Sequence, residues 1–216
     1  MSSAGPAQRD VTGIVLAGGL SRRMGGGDKG LRELAGKPML GHVVDRLRTQ
    51  VGLLAINANG DPTRFAAFAL PVVPDTVEGF AGPLAGVLAG MRWSARNAPH
   101  ARWIATAAGD APLLPRDLVE RLRAAVEDKP SAIALAQSNG ELHPVIGLWP
   151  VALADDLEAE LRAGVRKVLR WTDRHGTIAV PFAAVRIGDT DVDPFFNANT
   201  PEELEGLRAM LSRAAP

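Results

Sequence analysis

The run TGIVLAGGLSRRMGGGDKG, Thr12 to Gly30, passes in one step from branched apolar residues to a stretch crowded with glycine and cationic side chains. Thr12 to Ala17 reads as a strand buried on both faces, because a short continuous apolar run followed by turn residues is the pattern of a parallel-sheet interior. The glycines then fall at the strand's carboxyl end, where an open parallel sheet binds its ligands. Gly18 and Gly19 let the backbone pass close to a ligand and turn its NH groups inward as an anion-binding nest. Arg22, Arg23 and Lys29 add cations around the same concavity, and several donors with several charges suit a polyphosphate better than one carboxylate. The competing reading is a surface loop whose cations are merely solvated; the position after a buried strand weighs against it.

Two motif matches fail on context. Gly25 to Gly30, GGGDKG, fits G-x-G-x-x-G, but it begins well past the strand end and encloses a charged pair, whereas a dinucleotide fingerprint opens a helix directly after the strand. A Walker A loop needs Gly-Lys followed by Ser or Thr, and Gly36-Lys37 is followed by Pro38. The loop is therefore a phosphate site of a third kind.

Outward from this stretch, apolar runs alternate with helical patterns. LLAIN (Leu53 to Asn57), PVVP (Pro71 to Pro74), WIATAA (Trp103 to Ala108) and AIALAQ (Ala132 to Gln137) read as further buried strands. Between them KPMLGHVVDRLRTQ, GPLAGVLAGMRWSA and PRDLVERLRAAVED carry apolar residues at helical spacing, each with a proline near its start. Alternation of this kind predicts an α/β fold, a single three-layer domain with a mostly parallel, Rossmann-like sheet. After the turn signal Ser138-Asn139-Gly140, HPVIGLWP reads as a strand pairing back. Two helical stretches follow, then a polar loop GDTDVDPFFNANT and a last helix from Pro201 to about Ser212.

Composition bounds the chemistry. A length of 216 residues suits one domain. With 24 basic and 24 acidic residues, no net charge draws the protein to nucleic acid or to a membrane surface. There is no cysteine, which removes disulfides, thiolate catalysis and cysteine-ligated metals. The N-terminal MSSAGPAQRD has no apolar core of a signal peptide, and no run is long enough to span a bilayer. A cytoplasmic protein is expected, with residues 1–10 as a disordered tail.

LAGG-x-S-x-R-M-G, then D-K-G-L, then L-x-G-K-P-M-L resembles the nucleotidyltransferases that join a nucleoside triphosphate to a phosphate-bearing acceptor, and within them the molybdenum cofactor guanylyltransferases. The likeness continues through NAN (Asn57 to Asn59), AGPLAG (Ala81 to Gly86), GDAPLLP (Gly109 to Pro115), LHPVIGLW (Leu142 to Trp149) and FNANTPEEL (Phe196 to Leu204), in order over nearly the whole chain. The triple glycine Gly25-Gly26-Gly27 departs from the pattern.

The resemblance implies the nucleotide-diphospho-sugar transferase type of fold over residues 11–216, with a nucleotide-binding half at 11–137 and an acceptor-binding half at 138–216. It implies GMP transfer from GTP to the molybdopterin cofactor, with Mg2+, and possible handover to molybdoenzymes or their chaperones. It places nucleotide contacts at Leu16, Ala17, Gly18, Gly19, Lys29, Asn57, Asp75 and Asp110, the metal at Asp110, and the catalytic roles at Arg23, Lys29 and Asp110.

The residues themselves say less. Asp110 follows a strand and is as much a turn or cap residue as a metal ligand; Asn57 and Asp75 equally serve turns or read a base and ribose. Thr200 with Glu203 looks like a capping box, and Asn199 beside it is a candidate to approach the metal or acceptor. His42, His100, His143 and His175 have no zinc-ligand spacing. No nucleophile elbow or Ser-His-Asp set stands out. Arg166 and Lys167 are best read as a solvated face. A cytidylyltransferase on the same pterin, a sugar or polyol nucleotidyltransferase, a non-catalytic nucleotide-binding module and a pterin carrier stay open as rivals.

Overall fold

The computed structural model describes residues 10–18, 28–77 and 82–214. Strand β1 (Val11–Leu16) comes first; a 3-10 turn at Lys29–Leu31 precedes a short ribbon of β2 (Glu33–Leu34) and β3 (Lys37–Pro38). Ala35 and Gly36 close that ribbon with φ of 48° and 83°, the all-positive pair of a two-residue turn that matches strand twist. Helix α1 (Met39–Arg48) follows, with Pro38 at its N-cap rather than in its first turn. Then come β4 (Leu53–Asn57), β5 (Val72–Val73), α2 (Pro83–Asn97) and β6 (Trp103–Ala108).

Helix α3 (Leu118–Ala125) begins three residues after Pro115. Asp117 stands at its N-cap but makes no capping bond. Gln50 supplies the acceptor instead, its Oε1 taking the Val119 NH at 2.9 Å. The rest of the chain is β7 (Ile133–Ser138), β8 (Glu141–Pro150), α4 (Ala154–Arg162), α5 (Val168–Thr172), β9 (Thr177–Pro181), β10 (Val185–Ile187), β11 (Thr190–Val192) and α6 (Pro201–Ala214).

Seven strands form one sheet in the order β5-β4-β1-β6-β8-β7-β9. All neighbours run parallel except β8, which lies antiparallel between β6 and β7. The sheet is thus mostly parallel, as the alternation of runs predicts. Asn139 and Gly140, with φ of 50° and 81°, turn β7 back into β8.

Apolar side chains fill both faces. Val11, Val15 and Ala105 pack under Leu40, Val43 and Leu47 of α1 and Leu118 and Leu122 of α3. Ile14, Ala55 and Ile104 pack under Leu84, Leu88 and Met91 of α2, Leu157 of α4 and Trp171 of α5. These are the two helical layers around a central sheet. A third cluster joins Leu34 of the β2–β3 ribbon, Ile187 and Val192 of the β10–β11 hairpin, and Leu204 and Leu207 of α6. It anchors α6 beside the end of the ribbon.

Two stretches after residue 138 depart from the sequence reading. GDTDVDPFFNANT reads as a polar loop, yet its start closes a hairpin in which Gly188 and Asp189 link Ile187 to Thr190. Gly188 has φ of 58°, which a glycine at the first central hairpin position readily adopts. The second is β9, an edge strand parallel to β7. It buries Val180 while Ala179 and Pro181 are exposed, so it lacks the continuous apolar signature of the inner strands. At the other end, Asp10 of the expected tail is tied down: its carbonyl accepts from the NH groups of Arg102 and Trp103 at 2.9 and 3.2 Å. Residues 1–9 lie outside the described residues.

Candidate active site

Strand β1 sits between β4 and β6, and the chain moves outward on one side of it before crossing to the other. That reversal opens a crevice at the carboxyl ends of the strands, the place where doubly wound sheets take ligands. Leu16, Ala17 and Gly18 lie there. The Ala17 NH donates to Asn57 O at 2.9 Å and the Leu16 carbonyl accepts from Gly109 N at 3.0 Å, so three strand ends are stitched together. Gly19 and Arg23, expected as nucleotide-binding and catalytic residues, lie outside the described residues, as do Arg22 and the triple glycine Gly25 to Gly27.

On the β6 side, Lys29 Nζ donates to Asp110 Oδ2 at 2.5 Å and to Asn199 Oδ1 at 2.6 Å. Both members of the ion pair are largely shielded, with side-chain exposures of 11% for Lys29 and 23% for Asp110. The approach depends on Gly30: a Cβ there would stand 2.9 Å from the Gly109 carbonyl oxygen, so the D-K-G turn seats on the strand end only without a side chain. Asn199 arrives from the far end of the chain. Its NH and that of Thr200 donate to Glu203 Oε2 at 2.6 and 3.1 Å, while Glu203 N donates to Thr200 Oγ1 at 3.2 Å. This is the expected capping box, and it aims Asn199 at the lysine. Asn197 Oδ1 is buried without a hydrogen-bond partner among the described residues.

On the β4 side, Asn57 Nδ2 donates to Asp75 Oδ1 and to Val73 O, both at 3.0 Å. Asn59 grips the same carboxylate, donating to Oδ2 at 2.8 Å and accepting the Asp75 NH at 2.8 Å. The two amides thus fix one carboxylate. Asn57 is buried against α2, where a Cβ on Gly86 would come within 2.2 Å of its Oδ1. Asp28 makes a salt bridge with Arg64, which also donates to the Asn59 carbonyl at 2.5 Å. Arg64 therefore connects the Asn57–Asp75 cluster to the residue before Lys29. No spacing in the sequence signals that contact.

Among the described residues, no group of three or more His, Cys, Asp or Glu converges as a metal cage. Asp110 Oδ2 and Asn199 Oδ1 instead both face the Lys29 ammonium, so a cation held by these two oxygens requires Lys29 to turn from them toward phosphate. Such a sparse set fits a hard divalent cation that keeps positions open for phosphate oxygens. His42 holds the ribbon through its Nε2 and Leu34 O, 2.7 Å apart, and burial lowers its pKa against that carbonyl. His175 stands 2.9 Å from Asp156. Arg166 and Lys167 are exposed, and Arg166 donates to the Leu161 and Val165 carbonyls at 3.3 and 3.4 Å.

A lysine, a carboxylate and an amide meeting at the switch point of a doubly wound sheet, beside a second amide–carboxylate cluster, define a nucleotide-handling α/β enzyme. Relatives make the class specific. The MobA-like NTP transferase domain matches residues 13–177. A molybdenum cofactor guanylyltransferase of Bradyrhizobium sp. is 53% identical over 209 residues, covering 95% of this chain and 96% of the relative. One of Rhodopseudomonas palustris is 55% identical over 192 residues, covering 88% and 89%. The crystal structure of molybdopterin-guanine dinucleotide biosynthesis protein A from Archaeoglobus fulgidus superposes with a TM-score of 0.72 at 24% identity, over 94% of this chain and 99% of that one, a likeness of fold. The chain belongs to the MobA-like NTP transferase family, grouping with its molybdenum cofactor guanylyltransferases, and is a nucleotidyltransferase.

Proposed function

We propose that the protein transfers GMP from GTP to the molybdenum-molybdopterin cofactor, forming the guanine dinucleotide cofactor and releasing pyrophosphate. The observation that carries this reading is the meeting of Lys29, Asp110 and Asn199 at the crevice between β1 and β6. Relatives named for guanylyl transfer at about half identity over most of the chain favour guanine over the cytidylyl and sugar nucleotidyl alternatives.

In this reading an oxygen of the acceptor's terminal phosphate attacks the α-phosphorus of GTP, one P–O bond forms, and the bond to the β-phosphate breaks. The nucleophile is already an anion, so no strong base is needed. Catalysis is positioning and neutralisation of charge. Lys29, with Arg23 and the NH groups of Gly18 and Gly19, holds the β- and γ-phosphates and takes up the charge that develops on the leaving pyrophosphate. Leu16 and Ala17 line the nucleotide's path, and Asn57 and Asp75 face the base and ribose. Asp110, joined by Asn199, would hold Mg2+, which would supply neutralisation of phosphate charge.

Residues 11–137 then carry the nucleotide and residues 138–216 the acceptor. The partners are GTP and the molybdopterin cofactor, with molybdoenzymes or their chaperones as recipients, and neither nucleic acid nor a membrane takes part. Among the described residues no helix is long and apolar enough to cross a membrane. The reading places the enzyme in the cytoplasm, where GTP is made.

Transfer of radiolabel tests it. Label at the α-phosphate of GTP should appear in the dinucleotide cofactor, and label at the γ-phosphate in pyrophosphate. Tight GTP binding without either would describe a nucleotide-binding module instead.

A further inference from the structure

Away from Lys29, a serine, a histidine and an aspartate meet. Ser138, the last residue of β7 and 3% exposed, has its Oγ 2.6 Å from His143 Nε2 and 2.9 and 2.8 Å from the two oxygens of Asp193. The order is not that of a nucleophilic serine, whose proton goes to the imidazole. A hydroxyl has one proton. Asp193, as a carboxylate, only accepts, so the Ser138 proton goes to it and His143 Nε2 must donate to Ser138 Oγ. The direction runs from His143 through Ser138 to Asp193.

What the chain of bonds holds is the start of the segment that ends at Asn199. Asp193 Oδ1 also accepts the Phe195 NH at 2.8 Å, an Asx turn that sets the segment's direction. The Phe195 ring packs on His143 with centroids 4.6 Å apart and edge-on to Phe182 at 5.3 Å. At the far end Glu203 fixes Asn199, whose Oδ1 reaches Lys29. Only six residues, from Asp193 to Ala198, separate the end of β11 from Asn199, so a shift at Asp193 is passed on to that contact.

We propose that Ser138, His143 and Asp193 are positioning residues that set the Asp193–Asn199 segment so that Asn199 meets Lys29, the partner of Asp110. The kinetic arm of its test rests on the guanylyltransferase reading; the spectroscopic arm does not. In the wild-type protein at neutral pH, 15N NMR of the imidazole should find His143 protonated at Nε2 and bare at Nδ1. A proton on Nδ1 alone would reverse the chain of bonds and overturn the proposal, whatever reaction the enzyme performs. Ser138→Ala, Asp193→Ala and the double variant are then compared in turnover with GTP, Mg2+ and the molybdopterin cofactor. Each single variant should lower kcat about 10-fold with the KM for GTP within about twofold, because misplacement of a contact by about 1 Å costs up to 100-fold. The double variant should lose little more than either single one, as groups acting in one chain do. An unchanged kcat in a folded single variant, or losses that multiply in the double, would overturn it. Absence of turnover in the wild type would sink the guanylyltransferase reading alone and leave the histidine tautomer to decide this one.

Discussion

Lys29 joins Asp110 and Asn199 by a pair of contacts, and its neighbours explain why the D-K-G turn has the residues it has. Asp28 is held by Arg64, Lys29 faces Asp110, and Gly30 clears the strand-end carbonyl of Gly109. Lys29→Ala and Asp110→Ala should each reduce turnover by roughly 100- to 1000-fold, the scale for removing one preorganised charge stabiliser, with circular dichroism unchanged. Unfolding of both variants would make the pair structural. Gly86→Ala tests the other cluster. Its Cβ would press on Asn57 Oδ1, so the variant should lose about 1–3 kcal/mol of stability and raise the KM for GTP, read by denaturant titration and initial rates. An unaltered KM would detach Asn57 from nucleotide binding.

At the scale of elements, the inner strands were legible because both faces are buried. β1, β4 and β6 are continuous apolar runs, and their observed bounds agree with the reading to within a residue. The edge strand β9 and the β10–β11 hairpin were not, since each shows alternating or mostly polar residues that a loop shares. The site was legible in the same partial way. Strand ends pointed to Asn57, Asp75 and Asp110, and the capping box to Thr200 and Glu203. The meeting of Lys29 with Asn199, 170 residues apart, was not readable from spacing; neither was the approach of Asp193 to Ser138. Both depend on how the third apolar cluster seats α6 and the hairpin.

Two elements give their own predictions. Glu203→Ala removes the acceptor for two NH groups at the start of α6 and should cost about 1 kcal/mol, seen as a lower Tm. Thr106 in β6 accepts from Trp149 Nε1 at 2.7 Å and donates to Val145 O at 2.8 Å, all within the buried β6–β8 pair. Thr106→Val leaves the indole NH unpaired and should cost about 1–3 kcal/mol; an equally stable variant would mean the indole finds another acceptor.

For the whole molecule, acid should destabilise the fold. Burial lowers the pKa of His42 and of His143, against opposing contributions from the Leu34 carbonyl in the first and from Asp193 and Glu141 in the second. The unfolded chain therefore takes up protons near pH 6.5 that the folded chain resists, so stability present above that pH is lost as pH falls below it. At lower pH the hydrogen bond from Trp171 to Asp156 and those from Arg162 and Arg92 to Glu158, which hold both carboxyls below their usual range, add losses of the same sign. The urea midpoint should drop steadily between pH 7.5 and pH 5; a midpoint that rises on acidification contradicts this.

Pyrophosphate release with Mg2+ and purified molybdopterin cofactor, run side by side with GTP, CTP, ATP and UTP, reads the reaction and its base in one assay. Release is expected with GTP alone. Release with CTP in place of GTP would contradict the base assignment while leaving the Lys29–Asp110 site standing, and no release with any of the four would contradict the transferase itself.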